Sequence, residues 1–301
     1  MVTFPEVVAH AGLAIQRPGG TPTRRHLDEA LGLGVERLEL DICCTADGRL
    51  VLRHDTDLAD GTFVGDLTLD QLRRADRFTL TLDEVSEHLA GRVAMLLDLK
   101  MARVAEMLGP WCSRRQDLDD YAICTENIAW LLHLRFAVPR VARWLSFPDL
   151  GDSSTHHVRR VAAALWRSHA SLAGLRRGVS DIHRAAMHLR HNPHESLARL
   201  GGLPWRERLP LEIDRPCADI GAAGLCVQQW LVSPALVDAG HRLGLHVNTW
   251  TVNHPAAAPA LAAAGVDSIT TDRVEAIRMV LGIDRPRLPV RPPSRAQGGG
   301  A

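Results

Sequence analysis

The chain has 301 residues, enough for two average domains or one large barrel, and its 46% hydrophobic content supports a substantial core. Lysine plus arginine and aspartate plus glutamate both total 35, so the formal charge is zero and no basic excess marks a nucleic-acid or anionic-membrane partner. No apolar run approaches the roughly 20 residues a spanning helix needs, and the opening MVTFPEVVAHAG has neither a basic leader nor a signal-type core. The expectation is a cytoplasmic protein. Its six cysteines, Cys43, Cys44, Cys112, Cys124, Cys217 and Cys226, lie in apolar segments with no C-x-x-C, which predicts reduced, buried thiols.

Residues Glu6 to His10 read as a short apolar strand that ends in a histidine just before Ala11-Gly12 and a loop rich in Pro and Gly. A helix is expected over Arg24 to Leu33. The strand Val35 to Ile42 then alternates Leu38, Leu40 and Ile42 with Glu39 and Asp41, so the two carboxylates share a face. Ala46-Asp47-Gly48 is a turn signal, Leu50 to Leu52 a second strand, and the hairpin ends in His54-Asp55. Two carboxylates with a histidine returned beside them can hold a hard divalent cation and offer an acid or base. The same residues also suit an ordinary solvated strand face.

Residues 55–80 form a polar excursion containing a short helix, Leu69 to Ala75, too polar for core and placed over one barrel mouth. A helix over Thr81 to Leu89 leads to the apolar strand Val93 to Lys100, which carries Asp98 and Lys100 near its C-terminal end. Charges on a buried strand cost free energy unless partnered, so this pair belongs to a site or to a structural ion pair. Further strands are expected over Tyr121 to Thr125, Val141 to Phe147, Gly224 to Gln229, Leu245 to Val252 and Val266 to Asp272, with helical patterns in most gaps. Eight parallel-type strands favour an α/β fold of the (β/α)8 barrel type, one domain over residues 1–283. Beyond the small insertion after the second strand, residues 149–223 read as a long helical insertion between barrel strands 5 and 6. Its histidines, irregularly spaced among arginines, suit solvated or packing roles better than a metal site. The Pro-, Arg- and Gly-rich residues 284–301 are expected to be a disordered tail.

Taken together, the motifs resemble those of the glycerophosphodiester phosphodiesterases. The series runs H-x-G at His10 to Gly12, E-x-D at Glu39 to Asp41, T-x-D-G at Thr45 to Gly48, His54-Asp55, and Gly61 to Thr68 leading to LTLDEV. It continues with D-x-K at Asp98 to Lys100, NTWTVN at Asn248 to Asn253 and GVDSITTD at Gly265 to Asp272. The resemblance implies a TIM barrel that hydrolyses a glycerophosphodiester, or a related lysophospholipid-like diester, to glycerol phosphate and an alcohol with a divalent metal, usually Mg²⁺ or Ca²⁺. By position, Glu39 and Asp41 would be metal ligands, with Asp98 where the family commonly has a glutamate. His10 and His54 would be the acid–base pair, Lys100 would contact phosphate, and Trp250 would line the mouth. The partner implied is a small-molecule phosphodiester, with no nucleic acid. Two departures stand out: Ala11 replaces the arginine of H-R-G, and Pro18-Gly19-Gly20-Thr21 replaces P-E-N-T. Alanine cannot supply a two-pronged phosphate contact, and Arg17 or an arginine of the insertion is the available stand-in. Two alternatives follow: a barrel that forms a cyclic phosphate by internal attack, as phospholipase D-like relatives do, and a weakened barrel that only binds a phosphoester.

Overall fold

Short runs rich in Val, Ile and Leu become strands, and the amphipathic stretches between them become helices that cover the strands' outer faces. The structure, a computed structural model, describes residues 4–147 and 206–283. Its strands are β1 (Glu6–Ala9), β2 (Arg37–Cys44), β3 (Leu50–Leu52), β4 (Ala94–Leu99), β5 (Tyr121–Thr125), β6 (Ala142–Ser146), β7 (Gly224–Gln228), β8 (His246–Trp250) and β9 (Ser268–Thr271). The sheet order is β1-β9-β8-β7-β6-β5-β4-β2-β3, and β1 also pairs with β2, so the eight parallel strands close on themselves. Among the described strands only β3 runs antiparallel, as a hairpin on the end of β2. This is a TIM barrel, and closure leaves no parallel edge exposed.

The strands Leu50–Leu52 and Tyr121–Thr125 match the sequence expectation at both ends, and the other strand ends lie within two residues of it. The largest shift is in β2, which runs on to Cys44 because the hairpin pairs Cys44 with Leu50. Leu38, Leu40 and Ile42 point outward into the main core beneath the helices, whereas Leu96, Ala122, Cys124, Trp144 and Cys226 fill the barrel's interior. All six cysteines are free and buried.

The segment over residues 55–80 corrects one expectation: it is not wholly polar, because Val64 and Leu72 are fully buried in the main core. Leu72 lies on the helix Leu69–Ala75, whose start is fixed by a capping box between Thr68 and Gln71. The last part of the segment expected as a cap, Asp214–Ile220, is a helix packed beside Ile128–Ala137 in the barrel's outer ring. There Arg135 donates to the Ala218 carbonyl at 3.2 Å and Arg143 to that of Ile220 at 3.0 Å. Residues 149–205 of that expectation, and the tail expected over 284–301, lie outside the described residues.

The N-terminal end of the barrel is floored by aromatic and charged groups. Trp144 stacks on His246 with ring centroids 4.7 Å apart, and the Arg37 guanidinium lies 5.1 Å from the Trp144 ring. Gly224 makes this possible, since a Cβ there would sit 2.8 Å from Trp144 and 2.9 Å from the His246 carbonyl. Among the described residues no helix is long and apolar enough to cross a membrane.

Candidate active site

The parallel register of β2 and β4 makes Asp41 and Asp98 direct neighbours at the C-terminal end of the barrel. Glu39, two residues earlier on the same face of β2, completes a cluster in which one carboxylate oxygen from each residue lies within 4.8 Å of the others. Lys100, just past β4, sets its ammonium 2.8 Å from Asp41 Oδ1 and 2.6 Å from Asp98 Oδ2. Glu39 accepts the Ala11 backbone N–H at 2.7 Å. The second Asp41 oxygen, Oδ2, is buried with no hydrogen-bond partner among the described residues.

Burial, followed by repulsion from Asp41, pushes Glu39 up to about 8. Burial works the same way on Asp41, but the Lys100 ammonium outweighs it and holds that carboxyl below its usual range. Burial disfavours the Lys100 ammonium, yet Asp41 and Asp98 keep its pKa well above that of an ordinary lysine. The cluster therefore carries more potential negative charge than one lysine offsets. A hard divalent cation fits this donor set: three carboxylates converge, one buried oxygen lacks a partner, and the burial and mutual repulsion that raise Glu39 are what a cation would relieve.

His10 directly follows β1 and opens a tight turn in which Ala11 (φ 45°), Gly12 (φ 56°) and Leu13 (φ 62°) are all left-handed. Non-glycine residues occupy that region at a cost, so strain is concentrated beside His10. Its Nδ1 lies 2.7 Å from Asp272 Oδ1, and its Nε2 faces Glu39 at 4.0 Å. Asp272 is itself held by Asn253, whose side-chain amide donates to Oδ2 and whose carbonyl oxygen accepts the Asp272 N–H at 3.0 Å. Burial pulls the imidazole down, but the Asp272 hydrogen bond and the Glu39 carboxylate outweigh it and raise His10 to about 9.

His54 faces His10 with ring centroids 6.3 Å apart and planes at 83°. Its Nδ1 lies 2.9 Å from Asp55 Oδ1. Consecutive residues on a strand would diverge, but β3 ends at Leu52, so His54 and Asp55 lie on a loop where they can meet.

Six of the seven residues expected at the site thus come together: His10, Glu39, Asp41, His54, Asp98 and Lys100. Lys100 spends its contacts on two aspartates. Trp250 ends β8 half-buried, packed on the interior cluster of Leu96 and Trp144 and with its indole N–H enclosed. Arg17 is tied into its own loop, donating to the Thr21 carbonyl at 2.7 Å, pairing with Asp76 at 3.6 Å and lying over Phe78 at 5.1 Å. Asp272, Asn253 and Arg53 did not stand out individually in the sequence. Barrel closure is the signal that finds Asp272: β1 pairs with β9 in the register Ala9 to Thr271, so the next residues, His10 and Asp272, are neighbours.

Comparison with known proteins places this arrangement in an enzyme class, the phosphoric diester hydrolases. Residues 10–147 and 179–276 match the Glycerophosphoryl diester phosphodiesterase family, and the chain belongs to that family. No curated protein sequence matches it. Among solved structures it resembles a glycerophosphodiester phosphodiesterase from Parabacteroides distasonis at 19% identity and a TM-score of 0.63, covering 92% of this chain and 97% of that one. The enzyme of that name from Thermotoga maritima gives 16% identity and a TM-score of 0.60, over 92% and 99% of the two chains. An Oleispira antarctica phosphodiesterase, solved in complex with the product sn-glycerol-3-phosphate, gives 18% identity and a TM-score of 0.60, over 93% and 97%. At such identities these likenesses establish a shared fold.

Proposed function

We propose that this enzyme hydrolyses a glycerophosphodiester to glycerol phosphate and an alcohol, with a divalent metal held by Glu39, Asp41 and Asp98 and proton transfer shared by His10 and His54. The observation that carries this reading is the single cluster: three carboxylate oxygens within 4.8 Å of one another beside two imidazoles 6.3 Å apart. Mg²⁺ and Ca²⁺ are the ions such oxygen donors suit, and when bound the ion supplies positive charge against a phosphate oxygen as charge develops at phosphorus. The product bound in the Oleispira antarctica structure supports glycerol phosphate as the product class here.

The reaction breaks one P–O bond and forms another, so the attacking water must lose a proton and the departing alkoxide must gain one. His10, with Nδ1 anchored on Asp272 and Nε2 turned towards the carboxylate cluster, suits the donor. His54, more exposed and oriented by Asp55, suits the acceptor. Asp272 fixes the His10 proton on Nδ1 when the ring is neutral and leaves Nε2 to face the site. Lys100 keeps Asp41 ionised and, with its ammonium at the rim of the cluster, adds positive charge where a phosphate would lie.

Phosphorus NMR of a glycerophosphodiester panel tests this directly. Glycerol phosphate should accumulate with Mg²⁺ or Ca²⁺ and stop on chelation. Turnover that survives a chelator would overturn the metal assignment, and a cyclic phosphate product would replace hydrolysis with internal attack.

A further inference from the structure

We infer that Gly19, Gly20 and Arg53 form a clamp that positions His54, an inference that rests on the proton-transfer role proposed for His54. The sheet does not hold this histidine, because β3 ends at Leu52 and the chain leaves the barrel before residue 54. The loop over Pro18–Gly20 does so instead. The Gly19 carbonyl accepts the backbone N–H groups of both His54, at 3.1 Å, and Asp55, at 3.3 Å. His54 and its carboxylate partner are therefore anchored to one atom of the loop that follows the neighbouring strand, β1.

Both glycines are required by position. Gly19 (φ 69°) and Gly20 (φ 57°) are left-handed, and each closes directly on the segment it holds. A Cβ on Gly20 would lie 2.5 Å from the His54 Cβ, and one on Gly19 would lie 2.1 Å from the Arg53 guanidinium. Only a residue without a side chain lets the loop come this near.

Arg53 ties the two segments together from behind. It is 4% exposed. Its Nε donates to the Asp55 carbonyl at 3.0 Å, Nη1 to the Thr21 hydroxyl at 3.3 Å and Nη2 to the Asp57 carbonyl at 3.4 Å. Its backbone N–H donates to the Asp41 carbonyl at 2.9 Å. One residue thus connects the loop, both sides of His54 and the strand that carries Glu39 and Asp41. The planar five-donor fork of arginine suits this spread of oxygens, and an ammonium does not. The sequence departure at Gly19-Gly20, where P-E-N-T would fall, is in this light a device for holding a reacting group, whose misplacement by about 1 Å can cost on the order of 10²-fold in rate.

The test measures kcat and KM for glycerophosphocholine hydrolysis, with thermal midpoints, in wild type, Gly20→Ala, Arg53→Met, His54→Ala and Gly91→Ala. Gly91 is a control for backbone strain alone, being left-handed (φ 68°) with nothing within 4 Å of a Cβ built there. The clamp predicts that Gly20→Ala loses on the order of 10²-fold in kcat and Arg53→Met at least about 10-fold, each with KM nearly unchanged, while Gly91→Ala keeps its kcat. If Gly20→Ala does not fold, Arg53→Met decides. Wild-type kcat in the folded clamp variants, with His54→Ala inactive, would overturn the clamp and leave the proposed function standing. An equal kcat loss in Gly91→Ala would overturn it too, by tracing the effect to general strain. An active His54→Ala would remove the role of His54 itself, and the clamp with it.

Discussion

The two ends of this barrel both bury a histidine among charged groups, and they treat it in opposite ways. At the C-terminal end His10 meets Asp272 and Glu39, and despite burial its pKa rises to about 9. At the N-terminal end His246 stacks on Trp144 with Arg37 close by, and burial lowers it to about 4. Its Nε2 lies 2.8 Å from the Ser268 hydroxyl. One imidazole is met by acceptors that favour its charged form; the other is held neutral by burial, which with Arg37 outweighs the Asp267 carboxylate. The difference is that between a ring whose charged form is favoured and a ring whose neutral form is. Carboxylates contact the ring itself only in the first case; at His246 the nearby Asp267 is outweighed by burial.

The comparison can be broken at its most consequential contact. Asp272→Asn removes the charge that holds His10 protonated and offers an amide that can donate to Nδ1, favouring the wrong tautomer. The expected outcome is a fall in kcat on the order of 10²-fold with KM little changed. The His10 pKa should fall in the same variant, which NMR titration of its ring protons would register.

At the other end, a larger side chain should harm stability and spare chemistry. Gly224→Ala drives a methyl group into Trp144 and the His246 carbonyl, both closer than 3 Å to it. Overpacking of this kind costs about 1–3 kcal/mol. The melting temperature should drop by several degrees, while kcat per folded molecule stays at the wild-type level.

The smallest effect expected is a pH slope. His246 titrates at about 4 in the folded chain and near 6.5 when unfolded, so between those values the unfolded state binds more protons. Its contribution leaves stability unchanged above about pH 6.5, lowers it as the pH falls towards 4, and is constant again below that. Replacement by a residue that does not titrate, His246→Phe, should make the acid slope of the melting temperature shallower, with no change in the pH dependence of kcat.

Much of the site was legible because its parts are local. The alternation of Leu38, Glu39, Leu40, Asp41 and Ile42 follows from the two-residue period of a strand, and an aspartate and a lysine two apart at the end of an apolar strand point the same way for the same reason. The eight-strand count was legible from segment lengths and composition. Contacts made by closure were less so: His10 and Asp272 are 262 positions apart, and only knowing that the first and last strands are neighbours brings them together. The left-handed turn after His10 includes Ala11 and Leu13, which carry no signal for that conformation. Gly19-Gly20 read as missing side chains, because a sequence records what a residue lacks and not what presses against it. Lys100 was expected to reach phosphate, and its attachment to both Asp41 and Asp98 depends on a side-chain course that no spacing sets.

The most direct test of the central claim is the turnover number of His10→Ala and of His54→Ala, each verified as folded and saturated with Mg²⁺ or Ca²⁺. Each is expected to retain no more than about a hundredth of wild-type kcat, as loss of a proton-transfer group costs on the order of 10²- to 10⁴-fold. Near wild-type turnover in either variant would contradict the assignment of the two imidazoles as the groups that move protons on the diester.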